Sequence, residues 1–324
     1  MCLYPRLIKN RKYTSNKKNG GITPVCVDSR TMWVSVGCGK CMECMGQKSR
    51  GWKVRLQEDI KIHKNGKFAT LTFSNESIKE LGKDIKSDGY DRDNEIAKLG
   101  VRRFLERWRK KYGKSVRHWL VTELGHKGTE NIHLHGIIYS NNVEDIKSIW
   151  GYGFVYIGEY CNSKTINYIS KYVTKRDLDH KEYQPKILTS AGIGGNYRES
   201  FNAKLNKYNG ENTDENYTNG QGYKMALPIY YRNGIYTDEE KEKLWLHKLD
   251  KNERWVCGER VDVSTLEGVE AYYRLLKYYQ KKNKRLGYGT DEIDWEQKKY
   301  ERDRRNMLYE ERIKKAVTNK QKIS

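Results

Sequence analysis

The run Ile132-His133-Leu134-His135-Gly136-Ile137-Ile138-Tyr139 constrains the fold of this chain more than any other segment. Apolar residues dominate it, yet two imidazoles occur at a spacing of two. The alternation of a strand turns both to one face while Leu134 points to the other. One divalent ion shared by the two rings is a chemical reason for such a pair; two surface histidines on a hairpin is the plain alternative. Upstream, His118-Trp119-Leu120-Val121-Thr122-Glu123 is also β-prone, and residues 125–131 supply Gly and Lys for a turn, so the two runs read as a hairpin. Across it Glu123 can face the histidine side. Two imidazoles and a carboxylate with open positions suit Mg2+ or Mn2+, and Zn2+ would tolerate the same donors.

Around the hairpin the pattern alternates between strands and helices. Residues 49–63 are spaced as an amphipathic helix, and Phe68-Ala69-Thr70-Leu71-Thr72-Phe73 as a strand. Residues 75–95 are polar and read as loop, and 96–112 as a helix whose cations, Arg102 to Lys111, are candidates for phosphate contact. A helix over Val143–Trp150, a strand over 153–159 and a helix over 163–175 follow. From Phe68 the order is strand, helix, strand, strand, helix, strand, helix. It predicts an α+β fold, an antiparallel sheet with helices packed on one face. Three parts are expected: a Cys-rich N-terminal segment over 1–50, the sheet domain over 51–235, and a basic helical C-terminal region over 236–324. Within 177–235, Gly192-Ile193-Gly194-Gly195 reads as a flexible turn.

A second constellation lies on the helix over 163–175. Tyr168 and Tyr172 are four apart and share a helical face, while Lys171 and Lys175 share a neighbouring one. A phenol titrates near pH 10, so attack on phosphorus needs cations close to its oxygen, which the lysines or a metal can supply. A tyrosine packing stripe is the structural alternative.

Charge bears on partners. Lys and Arg number 63 against 42 acidic residues, a net charge of +21, which calls for a polyanion without choosing between DNA, RNA and an anionic membrane. No apolar run reaches membrane-spanning length and the first residues lack a signal-peptide core, so a cytoplasmic protein is expected. Seven cysteines, an odd count, then suggest reduced thiols or metal ligands. Cys38, Cys41 and Cys44 supply three ligands of a tetrahedral zinc set, with Cys2 or Cys26 as the fourth; inert thiols are the alternative, and an iron–sulfur site fits the spacing less well. Gly113-Lys114-Ser115 ends like a phosphate-binding loop, but Trp108 stands where its first glycine belongs, so no motor is encoded there.

Taken in order, residues 68–73, His133-Leu134-His135-Gly136 and Tyr168-Ile169-Ser170-Lys171-Tyr172-Val173-Thr174-Lys175 resemble the three motifs of microvirus replication initiators. More widely they resemble those of the rolling-circle HUH nucleases. Met1-Cys2-Leu3-Tyr4-Pro5, the Cys38 to Cys44 cluster and Gly192-Ile193-Gly194 are similar to features of the gokushovirus branch, so the resemblance spans roughly residues 1–200. It implies that Tyr168 or Tyr172 attacks a phosphodiester of single-stranded or supercoiled origin DNA. The products would be a free 3′-OH and a 5′-phosphotyrosine, with the second tyrosine serving the rejoining cut. Unwinding would fall to supercoiling or a host helicase, and synthesis to a host DNA polymerase. A non-catalytic nucleic-acid-binding protein and an HUH relaxase or transposase are the other readings.

Overall fold

The structure is a computed structural model and describes residues 2–126, 130–177, 179–180 and 183–290. The chain divides into two compact units. One gathers residues up to Gly46, the short piece 207–214 and the described residues from Tyr236; the other holds 47–206 and 215–235. The expected segments 1–50 and 236–324 thus largely share one unit, because their apolar residues complete a single core. The part of the basic tail beyond 290 lies outside the described residues.

In chain order the terminal unit begins with β1 (Arg6–Lys9) paired antiparallel to β2 (Trp33–Val36), followed by the first turns of α1 (Met42–Ile62). The sheet unit then runs β3 (Gly66–Thr72), α2 (Asn75–Leu81), α3 (Gly89–Tyr112), β4 (Arg117–Leu124), β5 (Ile132–Tyr139), α4 (Val143–Trp150), β6 (Val155–Ile157), α5 (Ser163–Tyr172) and β7 (Ile187–Thr189). It closes with α6 (Phe201–Leu205), the β8–β9 pair (Asn216–Thr218, Lys224–Ala226) and α7 (Ile229–Ile235). Back in the terminal unit come α8 (Asp238–Asp250), the hairpin of β10 (Glu253–Val256) and β11 (Glu259–Asp262), and α9 (Leu266–Arg285).

The sheet has the order β6-β3-β5-β4-β7 and every neighbouring pair is antiparallel. It is an α+β fold, as the pattern indicates, but helices cover both faces rather than one. The reason is visible in the strand alternation. Leu71, Leu120, Leu134 and Ile138 pack with Ile96, Val101, Phe104 and Trp108 of α3 and Trp150 of α4. On the opposite side Trp119, Val121, Ile137 and Tyr139 pack with Leu56 of α1 and Ile166 and Ile169 of α5. Both faces of the central strands are therefore apolar over most of their length.

Three details correct the sequence reading. Residues 75–95 are not loop: Ser74 caps α2 by accepting from the Ser77 amide at 3.2 Å, and α3 starts at Gly89. Short apolar spacing in this polar stretch hides the helices, whose burial comes from Leu81 and Asn94 at their ends. Several cations of α3 are engaged internally. Arg107 donates to the carbonyls of Ile149 at 2.9 Å and Trp150 at 2.7 Å, closing the C-terminal end of α4, and Lys111 pairs with Asp145 at 2.6 Å. Gly192 to Gly195 is a fixed turn. Gly194, at φ +69°, donates its N–H to Asp59 at 2.7 Å and receives the Tyr231 hydroxyl on its carbonyl at 2.9 Å; a Cβ there would lie 2.3 Å from the Arg55 carbonyl oxygen.

Candidate active site on the sheet

The hairpin register sets the first three residues of the site. Glu123 on β4 pairs directly with His133 on β5, and Val121 with His135, so Glu123, His133 and His135 share the sheet face that α5 covers. On the other flank of β5, Thr70 of β3 lies opposite His135. Gly136, next in the motif, permits this crossing: a Cβ on it would lie 2.0 Å from the Trp119 carbonyl oxygen. Any side chain there would push β4 away from β5 and with it Glu123 from the histidines.

The donor chemistry of the trio fits a divalent cation. The Nε2 atoms of His133 and His135 stand 3.2 and 3.0 Å from Glu123 Oε2. Adjacent ligands of a six-coordinate ion with bonds of about 2.1 Å are about 3.0 Å apart. His133 Nδ1 must be the donor to the Asn131 carbonyl at 3.3 Å, because a carbonyl only accepts. Its Nε2 then meets the carboxylate as one lone pair meeting another, unless a second ring proton or a cation lies between them. His135 Nδ1 bonds the Thr70 hydroxyl at 3.0 Å. Each ring is thus oriented from its far side, as metal-ligating histidines commonly are. Burial pushes the Glu123 carboxyl up, but hydrogen bonds from His133, His135 and Lys175 outweigh it and hold the group well below the ordinary carboxylate range. It is an anion under all ordinary conditions.

Asn162 opens α5 by accepting from the Lys164 and Thr165 amides at 2.9 and 3.1 Å, and the helix ends at Tyr172. Ile166, Ile169 and Val173 anchor it in the core below, which turns the intervening Tyr168 and Tyr172 toward the trio. The Tyr172 ring stacks on His135 with centroids 4.6 Å apart and planes 18° apart. The two phenol oxygens are 2.6 Å apart, and Tyr168 is 51% exposed. Burial, the Tyr168 hydroxyl and the Glu123 charge all push the Tyr172 phenol above its usual range. Lys175, just past the helix, turns back to pair with Glu123, while Lys171 is exposed on α5. The two lysines, expected to act alike, have different environments because the helix stops between them.

Several neighbours carry no signal of their own in the sequence. Phe68 stacks toward His135 at 6.2 Å and meets Tyr168 edge-on at 6.1 Å. Thr70 lies within a quoted motif but nothing in its type marks it as a histidine's partner. At the loop end of the hairpin His126, Asp177 and His180 also converge; His180 bonds Asp177 at 2.7 Å and Glu130 at 3.1 Å through its two nitrogens, and these partners raise its basicity. Residues from two separate loops build that cluster, so spacing alone does not reveal it.

Elsewhere the structure brings Cys2 to Cys38, Cys41 and Cys44. Cys26 is not among them: its thiol bonds the Asp28 carbonyl at 3.1 Å. Among the described residues no helix is long and apolar enough to cross a membrane.

An antiparallel sheet carrying a histidine pair, a facing carboxylate and a tyrosine helix is a fold and site of the replication-protein class, and residues 66–177, from β3 to just beyond α5, match the family model for the replication-associated protein ORF2. Over 255 residues the chain is 24% identical to the replication-associated protein ORF4 of Chlamydia phage 1, an alignment covering 68% of this chain and 59% of that protein. The chain thus spans about 59% of the length of that relative. No solved structure matches it. These matches support a microvirus-like replication initiator, the class that the three motifs resemble, and a role in phage replication.

Proposed function

We propose that the sheet unit nicks and rejoins a single DNA strand at the replication origin of a small single-stranded DNA phage. The observation that carries this reading is the stacking of Tyr172 on His135, with Tyr168 hydrogen-bonded to it, over the only sheet face in the described residues that bears Glu123, His133 and His135. In the reaction a tyrosine Oη forms a bond to phosphorus and the P–O3′ bond breaks. The phenol's proton leaves and the 3′ oxygen departs as a hydroxyl, so the phosphoester count is unchanged. A second transfer to a 3′-OH restores the DNA backbone without ATP, and two adjacent phenols allow one to cut while the other is occupied. A divalent ion held by His133, His135 and Glu123, Mg2+ or Mn2+, would supply positive charge to polarise the scissile phosphate. Lys175 lies on the same carboxylate and can hold a phosphate oxygen, and Lys171 can contact the backbone from the exposed side of α5.

A single strand suits the surroundings. Beside Tyr168 a groove of about 660 Å3 is lined by Phe68, Tyr156, Tyr160 and Lys164, and Tyr156 and Tyr160 are 52% and 66% exposed. Exposed rings beside a cation are a stacking surface for unpaired bases, which a closed duplex cannot offer. The 3′-OH would serve a host polymerase, a host helicase would open the duplex, and the reaction would occur in the host cytoplasm.

The test uses labelled single-stranded oligonucleotides tiling the phage genome, incubated with the full chain and Mn2+ or Mg2+ and resolved on a denaturing gel. A metal-dependent covalent protein–DNA band on one sequence is expected. Binding without any such band on every oligonucleotide means a non-catalytic DNA-binding protein instead. Cutting confined to a transfer or transposon-end sequence would indicate the relaxase or transposase reading.

A further inference from the structure

We propose that Cys2, Cys38, Cys41 and Cys44 hold one zinc ion that fastens the extreme N-terminal residues into the core of the terminal unit. This inference is independent of the nicking reaction. All four sulfurs lie within 4.8 Å of one another and none is in a disulfide. Four sulfurs at about 2.3 Å from a tetrahedral ion are about 3.8 Å apart. Cys2 Sγ and Cys41 Sγ are separated by 3.8 Å. That spacing suits a single ion; a cluster of several iron atoms would spread its thiolates further.

Local chemistry supports four thiolates in this place. Cys38-Gly39-Lys40-Cys41 forms a tight turn in which Gly39 takes φ +77°, and the amides of Lys40 and Cys41 point at Cys38 Sγ from 3.5 and 3.3 Å. Cys2 Sγ in turn receives the amides of Tyr4 at 3.3 Å and Cys38 at 3.2 Å. Amides aimed at sulfur stabilise the charged form that binds metal. Cys44, three residues after Cys41, falls on the same side of the first turn of α1. Gly37 keeps the site open to it, since a Cβ there would lie 2.9 Å from Cys44 Sγ. Cys26 and Cys257 are outside the set.

The site has an evident mechanical role. Leu3 and Tyr4, next to Cys2, are 0% and 2% exposed and pack with Val256, Tyr272 and Leu276. Gln280 of α9 donates to the Leu3 carbonyl at 2.8 Å, and the Met42 amide donates to Asn283 at 2.7 Å. Burying an N-terminal pair of residues costs conformational entropy that a ligand at position 2 offsets by tying the segment to Cys38, 36 residues away.

The experiment uses the full chain carrying His133→Ala and His135→Ala, so that zinc on the sheet is removed from the count. Zinc per chain is measured by elemental analysis, and its release by a mercurial reagent in a chromogenic chelator. One zinc per chain, released as four thiols react, is expected. Cys2→Ser should lose it and Cys26→Ser keep it. If Cys2→Ser fails to fold, cobalt loaded into the parent in place of zinc should give thiolate-to-metal charge-transfer bands and the strong visible bands of a tetrahedral site. Full zinc in Cys2→Ser, cobalt bands without thiolate character, stoichiometric iron, or a Cys2–Cys41 disulfide in freshly purified protein would each overturn the assignment. Adduct formation by Cys2→Ser in an otherwise unaltered chain reports on the nuclease reading separately.

Discussion

The two ligand clusters of this molecule are built by opposite means. On the sheet, His133 and His135 are brought together by strand alternation and Glu123 by hairpin register, and the donors are nitrogen and oxygen on a face shared with an exposed phenol. In the terminal unit, a tight turn and one helical turn collect three sulfurs, and the fourth comes from the far end of the same core. Hard donors with a solvent-facing side suit an ion that exchanges and meets substrate; a closed sulfur set suits one that stays. One chain can therefore separate a working cation from a structural one by donor type and by the secondary structure presenting it.

The most severe test of this contrast is Tyr168→Phe with Tyr172→Phe. On the reading above it abolishes the covalent DNA adduct altogether while leaving the zinc count and DNA affinity near those of the parent, as measured by denaturing gel, elemental analysis and anisotropy. An adduct that persists would move the nucleophile elsewhere. Gly136→Ala comes next. Because the new methyl group meets the β4 backbone, unfolding of the sheet unit in urea should lose about 3 kcal/mol, and the histidine site should fail with it. The thiol-bound zinc should remain; its loss in this variant would mean that the two clusters are not independent.

A smaller effect is expected from Asp59, which is fully buried and accepts from Arg117 and from the Gly194 amide. Burial alone would raise its pKa, but these donors lower it below the ordinary 3.8. A depressed carboxyl stabilises the fold above its unfolded-state pKa and ceases to do so as pH falls through the folded-state value. Asp59→Asn should therefore cost about 2 kcal/mol near neutrality, with the gap to the parent closing below about pH 4. A gap independent of pH would assign the cost to packing. The mildest change is Thr70→Val, which removes the hydroxyl behind His135 and should raise the Mn2+ concentration for half-maximal adduct about 10-fold. An unchanged metal requirement would show that Thr70 does not orient the ring.

Much of this was legible in the residues. The strand bounds of β5 and the helix bounds of α4 follow directly from alternation and spacing, since both segments have apolar residues at every core-facing position. The two-faced covering of the sheet was not, because Trp119, Val121 and Ile137 read as ordinary strand residues until a helix is known to lie over them. Nor were α2 and the first turns of α3, whose sequences are polar enough to pass for loop. Spacing brought out Cys38, Cys41 and Cys44, but only long-range packing distinguishes Cys2 from Cys26.

Local periodicities in the residues suffice to say which side of β5 carries the imidazoles, which face of α5 carries the phenols, and that three thiols share one turn. These follow from the fixed geometry of strand and helix. It took the folded chain to bring the two faces together, to set Thr70 and Asn131 behind the rings, to let Lys175 rather than Lys171 reach Glu123, and to add Cys2 to the sulfurs. Those are contacts between residues far apart in the chain, and they depend on how the cores pack, which no local repeat records.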